Sequence, residues 1–160
     1  MIDAELLLLR GISAEEAGDY DTARLCFRQA ADFGDAVGLN CLAYMFDVGL
    51  GAPPDKAEAM RLYRRAWRLG SFAAANNIAV LYREAGRRRQ AHQWFVRAAE
   101  AGDGDACLEV AKGLIAGDGV RRSAEIGMRW LQAVATSGCS SEDAEEEAAA
   151  LLQILGPKLA

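Results

Sequence analysis

Small and bulky apolar residues return along this chain at fixed distances from four glycines. Gly34, Gly70, Gly102 and Gly138 lie 36, 32 and 36 residues apart, and each closes a stretch of the same pattern. Three and four residues before each glycine stand Ala30-Ala31, Ala66-Trp67, Ala98-Ala99 and Val134-Ala135. Seven and eight before it are Cys26-Phe27, Leu62-Tyr63, Trp94-Phe95 and Trp130-Leu131, and eleven before it are Ala23, Ala59, Ala91 and Gly127. Offsets of four, eight and eleven fall on one face of an α-helix. Small side chains there let a neighbouring helix approach, and aromatics fill the space beside them. The glycine supplies the left-handed conformation that ends a helix.

A second helix follows each glycine. Leu42-Ala43, Ile78-Ala79 and Val110-Ala111 stand eight and nine residues past it, with Phe46, Tyr82 and Leu114 one turn later. Gly49, Gly86 and Gly117 close these helices, as Gly18 closes the first. The connections that follow differ: Gly49 to Asp55 is long, almost nothing follows Gly86, and Gly117-Asp118-Gly119-Val120 is intermediate. A surface insertion of about four residues explains the alternating intervals at little cost. The pattern predicts helices over roughly 3–17, 20–33, 36–48, 55–69, 72–85, 88–101, 105–116, 121–137 and 142–155. The last breaks the repeat. Ser140-Ser141-Glu142-Asp143 reads as an N-cap and acidic first turn, Ala148, Leu151, Leu152 and Leu155 make an apolar face, and Gly156-Pro157 is the expected stop. One apolar and one acidic face suit a cap over the last repeat's core.

Apolar content dominated by Ala, with three prolines in 160 residues, agrees with one all-helical repeat domain. The formal net charge of −5, with both signs interleaved, argues against nucleic acid or an anionic membrane as partner. Arg87-Arg88-Arg89 reads as a solvated helix start, where positive charge opposes the helix dipole, with a phosphate site as the alternative. The carboxylates of 142–147 read as a solvated, dipole-favoured face. The opening Met1-Ile2-Asp3-Ala4-Glu5 is acidic where an export signal is basic, and Leu6 to Leu9 is a short apolar run, so the cytoplasm is the expected location. Cys26, Cys41, Cys107 and Cys139 contain no C-x-x-C pair and read as small buried hydrophobes, with a disulfide or metal site as the alternative.

The strings Ala91 to Gly102 (AHQWFVRAAEAG) and Gly117-Asp118-Gly119-Val120 resemble the Sel1-like repeat, while Glu15 to Ala31 (EEAGDYDTARLCFRQAA) is more similar to a tetratricopeptide repeat. Trp67 in place of the second Ala of its pair, Gly127 in place of Ala and a first helix without the family aromatic depart from the pattern. The resemblance implies a right-handed superhelical α-solenoid of about four helix-turn-helix repeats. These run over about 3–34, 35–70, 71–102 and 103–138, with a cap helix at 141–155. It also implies an adaptor or scaffold that reads a protein or peptide with the concave face of its first helices.

In the tetratricopeptide register, the groove-facing candidates are Val37, Asn40, Tyr44 and Asp47, then Asn76 with Asn77 beside it, Val80, Arg83 and Glu84, then Asp105, Leu108, Lys112 and Ile115, with Ile12, Glu15 and Glu16 from the first helix. Asn40 and Asn76 stand one period apart, and a mid-helix amide offers both donor and acceptor to an extended peptide. A helix–helix hydrogen bond is the alternative for each. Tyr44, Arg83 and Lys112 would add an aromatic anchor and charge-assisted contacts.

Catalysis needs a convergent acid, base or nucleophile, and none is apparent, so no enzyme, cofactor or metal is expected. The one histidine, His92, has no motif around it and reads as an exposed or half-packed helix residue. Gly117-x-Gly119 lacks the strand and lysine of a phosphate loop. The leading expectation is a cytoplasmic, bacterial-type protein-interaction module. An immunity or chaperone-type protein that sequesters a toxin or secreted substrate, and a self-assembling homo-oligomer such as a homodimer, are the alternatives.

Overall fold

A computed structural model describes residues 3–138 and 140–159, so Cys139, expected as a small buried thiol, lies outside the described residues. The described residues form helices and no strand. In chain order these are α1 (Ala4–Glu16), α2 (Tyr20–Asp32), α3 (Ala36–Val48), α4 (Lys56–Arg68), α5 (Phe72–Glu84), α6 (Arg88–Glu100), α7 (Gly104–Ala116), α8 (Ala124–Ser137) and α9 (Glu142–Leu159). These bounds follow the hydrophobic pattern, with two differences. α8 starts at Ala124 rather than near 121, and α9 runs on to Leu159 instead of stopping at Gly156-Pro157. A proline this close to the helix end leaves one carbonyl of the preceding turn without its amide donor, and the cost is confined to the end of the helix.

The same local devices delimit one helix after another. Gly34, Gly70 and Gly102 have φ of 82°, 95° and 103°, a left-handed conformation that costs a glycine nothing. At each, the next amide reaches back to the helix: Asp35 donates to the Ala30 carbonyl, Ser71 to Ala66 and Asp103 to Ala98. These three residues then cap the following helix. Asp35 Oδ1 accepts from the Gly38 amide at 2.6 Å, Ser71 Oγ from Ala74 at 3.3 Å and Asp103 Oδ1 from Ala106 at 3.0 Å. Ser141 Oγ repeats the bond to Ala144 at 3.3 Å, so α9 begins as a further first helix would.

The chain packs as two compact units, residues 1–74 and 75–160. In the first, α1 pairs with α2, α2 with α3 and α3 with α4. Its core holds Phe27, Leu39, Leu42, Leu62 and Tyr63, with alanines where helices approach closely. A Cβ on Gly11 would stand 2.5 Å from the Phe27 ring, and one on Gly38 would stand 2.7 Å from Ala30 Cβ, so both positions need glycine for contact rather than for φ. In the second unit α6 pairs with α7, α7 with α8, and α9 lies on α8 and against α7. Leu108, Ala111, Leu131, Val134, Ala144 and Ala148 form its buried cluster.

Both inserted loops fold back on a neighbouring second helix. In the first unit the Leu50 carbonyl accepts from Arg24 of α2 at 2.9 Å. In the second, a Cβ on Gly119 would stand 2.2 Å from the Arg88 carbonyl oxygen, and Arg88 pairs with Asp118 at 3.0 Å. Arg87, Arg88 and Arg89 are all exposed, and Arg88 binds this loop.

Candidate functional site

Asn76, Val80 and Arg83 are spaced along α5 so that they share one stripe, and they line a cleft of about 260 Å³ in the second unit. Phe95 of α6 and Leu108 of α7 add apolar surface, and Asp105 and Glu109 of α7 add carboxylates. Asp143, Ala144 and Glu147 of α9, with Ser141 just before it, form the remaining wall. Asn76 is half-buried, and its side chain makes no hydrogen bond among the described residues.

Ion pairs organise the wall. Glu109 takes both Arg83 and Lys112, the latter at 3.0 Å, and Lys112 also reaches Glu147 at 3.0 Å. Burial pulls the Lys112 ammonium towards losing its proton, but hydrogen bonds from it to Glu147 and Glu109 outweigh that, and it titrates above the ordinary lysine range. Arg83 also lies over the Phe95 ring, 5.2 Å from its centroid. Asp105 Oδ1 accepts from the Ser141 amide at 2.8 Å, tying the start of α9 to α7.

Not every expected residue is open to a partner. Leu108 occupies the register position of Asn40 and Asn76, yet it is buried with Ala144 and Ala148 of α9, so the cap covers the groove position of the last repeat. Asp47 is buried in the first unit. Its carboxylate accepts from Lys56 Nζ at 2.5 Å and from the Tyr63 hydroxyl at 3.2 Å. Tyr63 stands where Phe27, Phe95 and Leu131 stand in the other repeats, and a buried phenol there needs an acceptor. Burial and the Asp47 charge push the Tyr63 phenol far up, fixing it as a donor.

Tyr44 is exposed, and Asn40 and Asn77 are half-buried with interactions inside the fold. Glu84 is exposed and also has an interaction within the chain. The second unit therefore brings together Asn76, Val80, Arg83 and Lys112, while Asn40, Tyr44 and Asp47 belong to the first. Ser141 and the α9 residues Asp143 and Glu147 were missed as site residues, because the helical pattern showed α9 only as a cap. Asp105, expected on the same α7 stripe as Leu108 and Lys112, lines the cleft.

The other chemical candidates lie elsewhere. Cys26 is buried, Cys41 and Cys107 are half-buried, and none of the three is in a disulfide among the described residues. Burial, with Glu15 and Asp35 nearby, pushes the Cys41 thiol up to about 11. His92 is half-buried against Gly113, where a Cβ would stand 2.7 Å from the imidazole Nδ1. No group of His, Cys, Asp and Glu suited to a metal ion occurs among the described residues. None of the described helices is long and apolar enough to cross a membrane.

A family model for the Sel1 repeat matches residues 4–35, 38–71, 73–103 and 104–139. A Sel1 repeat protein from Oxalobacter formigenes is similar at 26% identity and a TM-score of 0.78, over 86% of this chain and 58% of that one. A protective antigen of uropathogenic Escherichia coli, described as having an SLR fold, is similar at 22% identity and a TM-score of 0.79, over 93% of this chain and 33% of that one. The cysteine-rich protein B of Helicobacter pylori aligns at 21% identity and a TM-score of 0.59, over 79% of this chain and 92% of that one. The chain thus spans 58% and 33% of the first two structures, and the all-α solenoid class expected from the sequence is the class they share. A search of curated proteins found no match.

Proposed function

Since this chain belongs to the Sel1 repeat family, we propose that it is a non-catalytic adaptor that docks a segment of a partner protein in the cleft between α5, α7 and α9. Repeats of this family generally serve as protein–protein interaction modules. The observation that carries the assignment to this cleft is the convergence of Asn76, Val80 and Arg83 with three α9 residues around an apolar floor. The volume accommodates one or two side chains of an extended segment and falls below that of pockets built for drug-sized ligands, about 300–1,000 Å³. The half-buried Asn76 amide supplies a donor and an acceptor for peptide backbone. Cys26, Cys41 and Cys107 stand in no disulfide among the described residues, which accords with a reducing compartment, and the cytoplasm is the proposed location.

The test is affinity capture with the full chain in cells of its source, followed by calorimetry on the captured protein. Val80→Trp, which fills the cleft, is expected to weaken binding by at least about tenfold while the melting temperature stays unchanged. Equal affinity in that variant would remove the cleft from the function.

A further inference from the structure

The cleft between α5, α7 and α9 carries more acid than its own cations neutralise. Arg83 and Lys112 are matched by Glu109 and Glu147. Asp105 and Asp143 line the same cleft, are exposed, and have no cationic partner among the described residues. The bond from the Ser141 amide orients the Asp105 carboxylate through one oxygen only. Beside these charges the floor is apolar, made by Val80, Phe95 and Ala144. The carboxylates by themselves do not make the site. The cleft does, and its charge selects what enters.

Resting on the docking reading above, we infer that the segment taken by this cleft is basic: an extended stretch of partner protein with a lysine or arginine next to an apolar side chain. The apolar group packs on the half-buried Val80, and the cation is drawn to Asp105 and Asp143. An acidic segment would meet two like charges and compete with Glu147 for Lys112. A neutral segment would desolvate both carboxylates with nothing in exchange. Only a cation offers the two carboxylates an opposite charge.

Fluorescence anisotropy on the full chain separates the possibilities, with labelled pools of short peptides of one design. Basic residues flank a leucine in the first pool, glutamates in the second and glutamines in the third. The basic pool is expected to bind alone and to weaken as salt rises to about 0.5 M, where the Debye length falls well below 10 Å. Asp105→Asn combined with Asp143→Asn is expected to cost about tenfold in affinity with an unchanged melting temperature. Asparagine keeps the Oδ1 acceptor that holds Ser141, so the fold is not the variable. Equal binding of all pools, lost in Val80→Trp, would overturn the basic assignment and leave docking in the cleft standing. Binding of no pool, or binding indifferent to Val80→Trp, would overturn both. Light scattering that shows self-association lost in the double Asn variant would make a second copy the occupant, through the exposed Arg61, Arg64, Arg65 and Arg68 of its α4, and overturn the separate partner.

Discussion

Asp47 and Tyr63 show how one hydroxyl redirects a residue. In the other repeats the second helix presents Phe27, Phe95 or Leu131 to the core, and Tyr63 adds a phenol that must donate. The carboxylate one helix away is thereby drawn inward to serve Tyr63 and Lys56. Asp47→Ala is therefore expected to destabilise the first unit by about 1–3 kcal/mol in urea unfolding, because it leaves the phenol unsatisfied. Adding Tyr63→Phe should recover part of that loss. An unchanged unfolding midpoint in Asp47→Ala would return the residue to the list of partner contacts. His92 gives a second test at this scale, aided by being the chain's one histidine. Burial lowers its pKa below 6.5, opposed by the Asp118 charge. A lowered folded pKa means that folding favours the neutral ring. The stability it contributes is complete above the unfolded value, about 6.5, and is lost as pH falls through the folded one. The imidazole proton signals should titrate with a midpoint below 6.5, and Asp118→Asn should move it lower still. A midpoint at or above 6.5 would mean that the ring is solvated.

The decisive element is α9. It begins with the same serine-to-alanine amide bond that starts α5, and its Ala144 and Ala148 enter the cluster around Leu108, Leu131 and Val134. It thus does the work of the first helix of a further repeat while keeping an acidic outer surface. Ala148 has no exposed surface, so Ala148→Asp would bury an unpaired carboxylate at a cost of about 3–5 kcal/mol, more than the contact is worth. The expected result is undocking of α9, read as exposed apolar surface by dye binding and as a change in emission from the nearby Trp130. Far-UV circular dichroism should report most of the helix retained. A variant with native emission and no dye binding would show that α9 is not what closes this core. The helix limits themselves were legible in the sequence, because glycines and caps act within a few residues. That α9 also builds a cleft wall was not, since the Lys112–Glu147 pair and the Ser141–Asp105 bond join residues some 35 positions apart in sequence.

For the molecule as a whole, a partner that binds only the folded chain stabilises what it touches. Hydrogen exchange with the captured partner should slow amides around 76–83, 105–112 and 141–147 while leaving residues 3–70 at their free rates. Protection centred on Tyr44 or Asn40 instead would place the docking surface in the first unit. The net charge of −5 hides an uneven distribution: α4 carries Lys56, Arg61, Arg64, Arg65 and Arg68 against Glu58, while the first turns of α9 carry five carboxylates. Read as an average over the chain, that charge argues against a polyanionic partner without naming another. Only its placement on folded surfaces says which protein segments suit the cleft.

The spacing of alanines, aromatics and glycines determined, without any coordinates, that this chain is a stack of paired helices and where nearly every helix starts and stops. Those features depend on residues within one or two turns of each other, where sequence distance and spatial distance coincide. Tertiary structure alone decided that Leu108 and Asp47 are closed to a partner and that α9 contributes Asp143 and Glu147 to the cleft. Each of those outcomes turns on which distant side chain arrives beside a given position, and the repeat pattern, being the same in every repeat, holds no record of it.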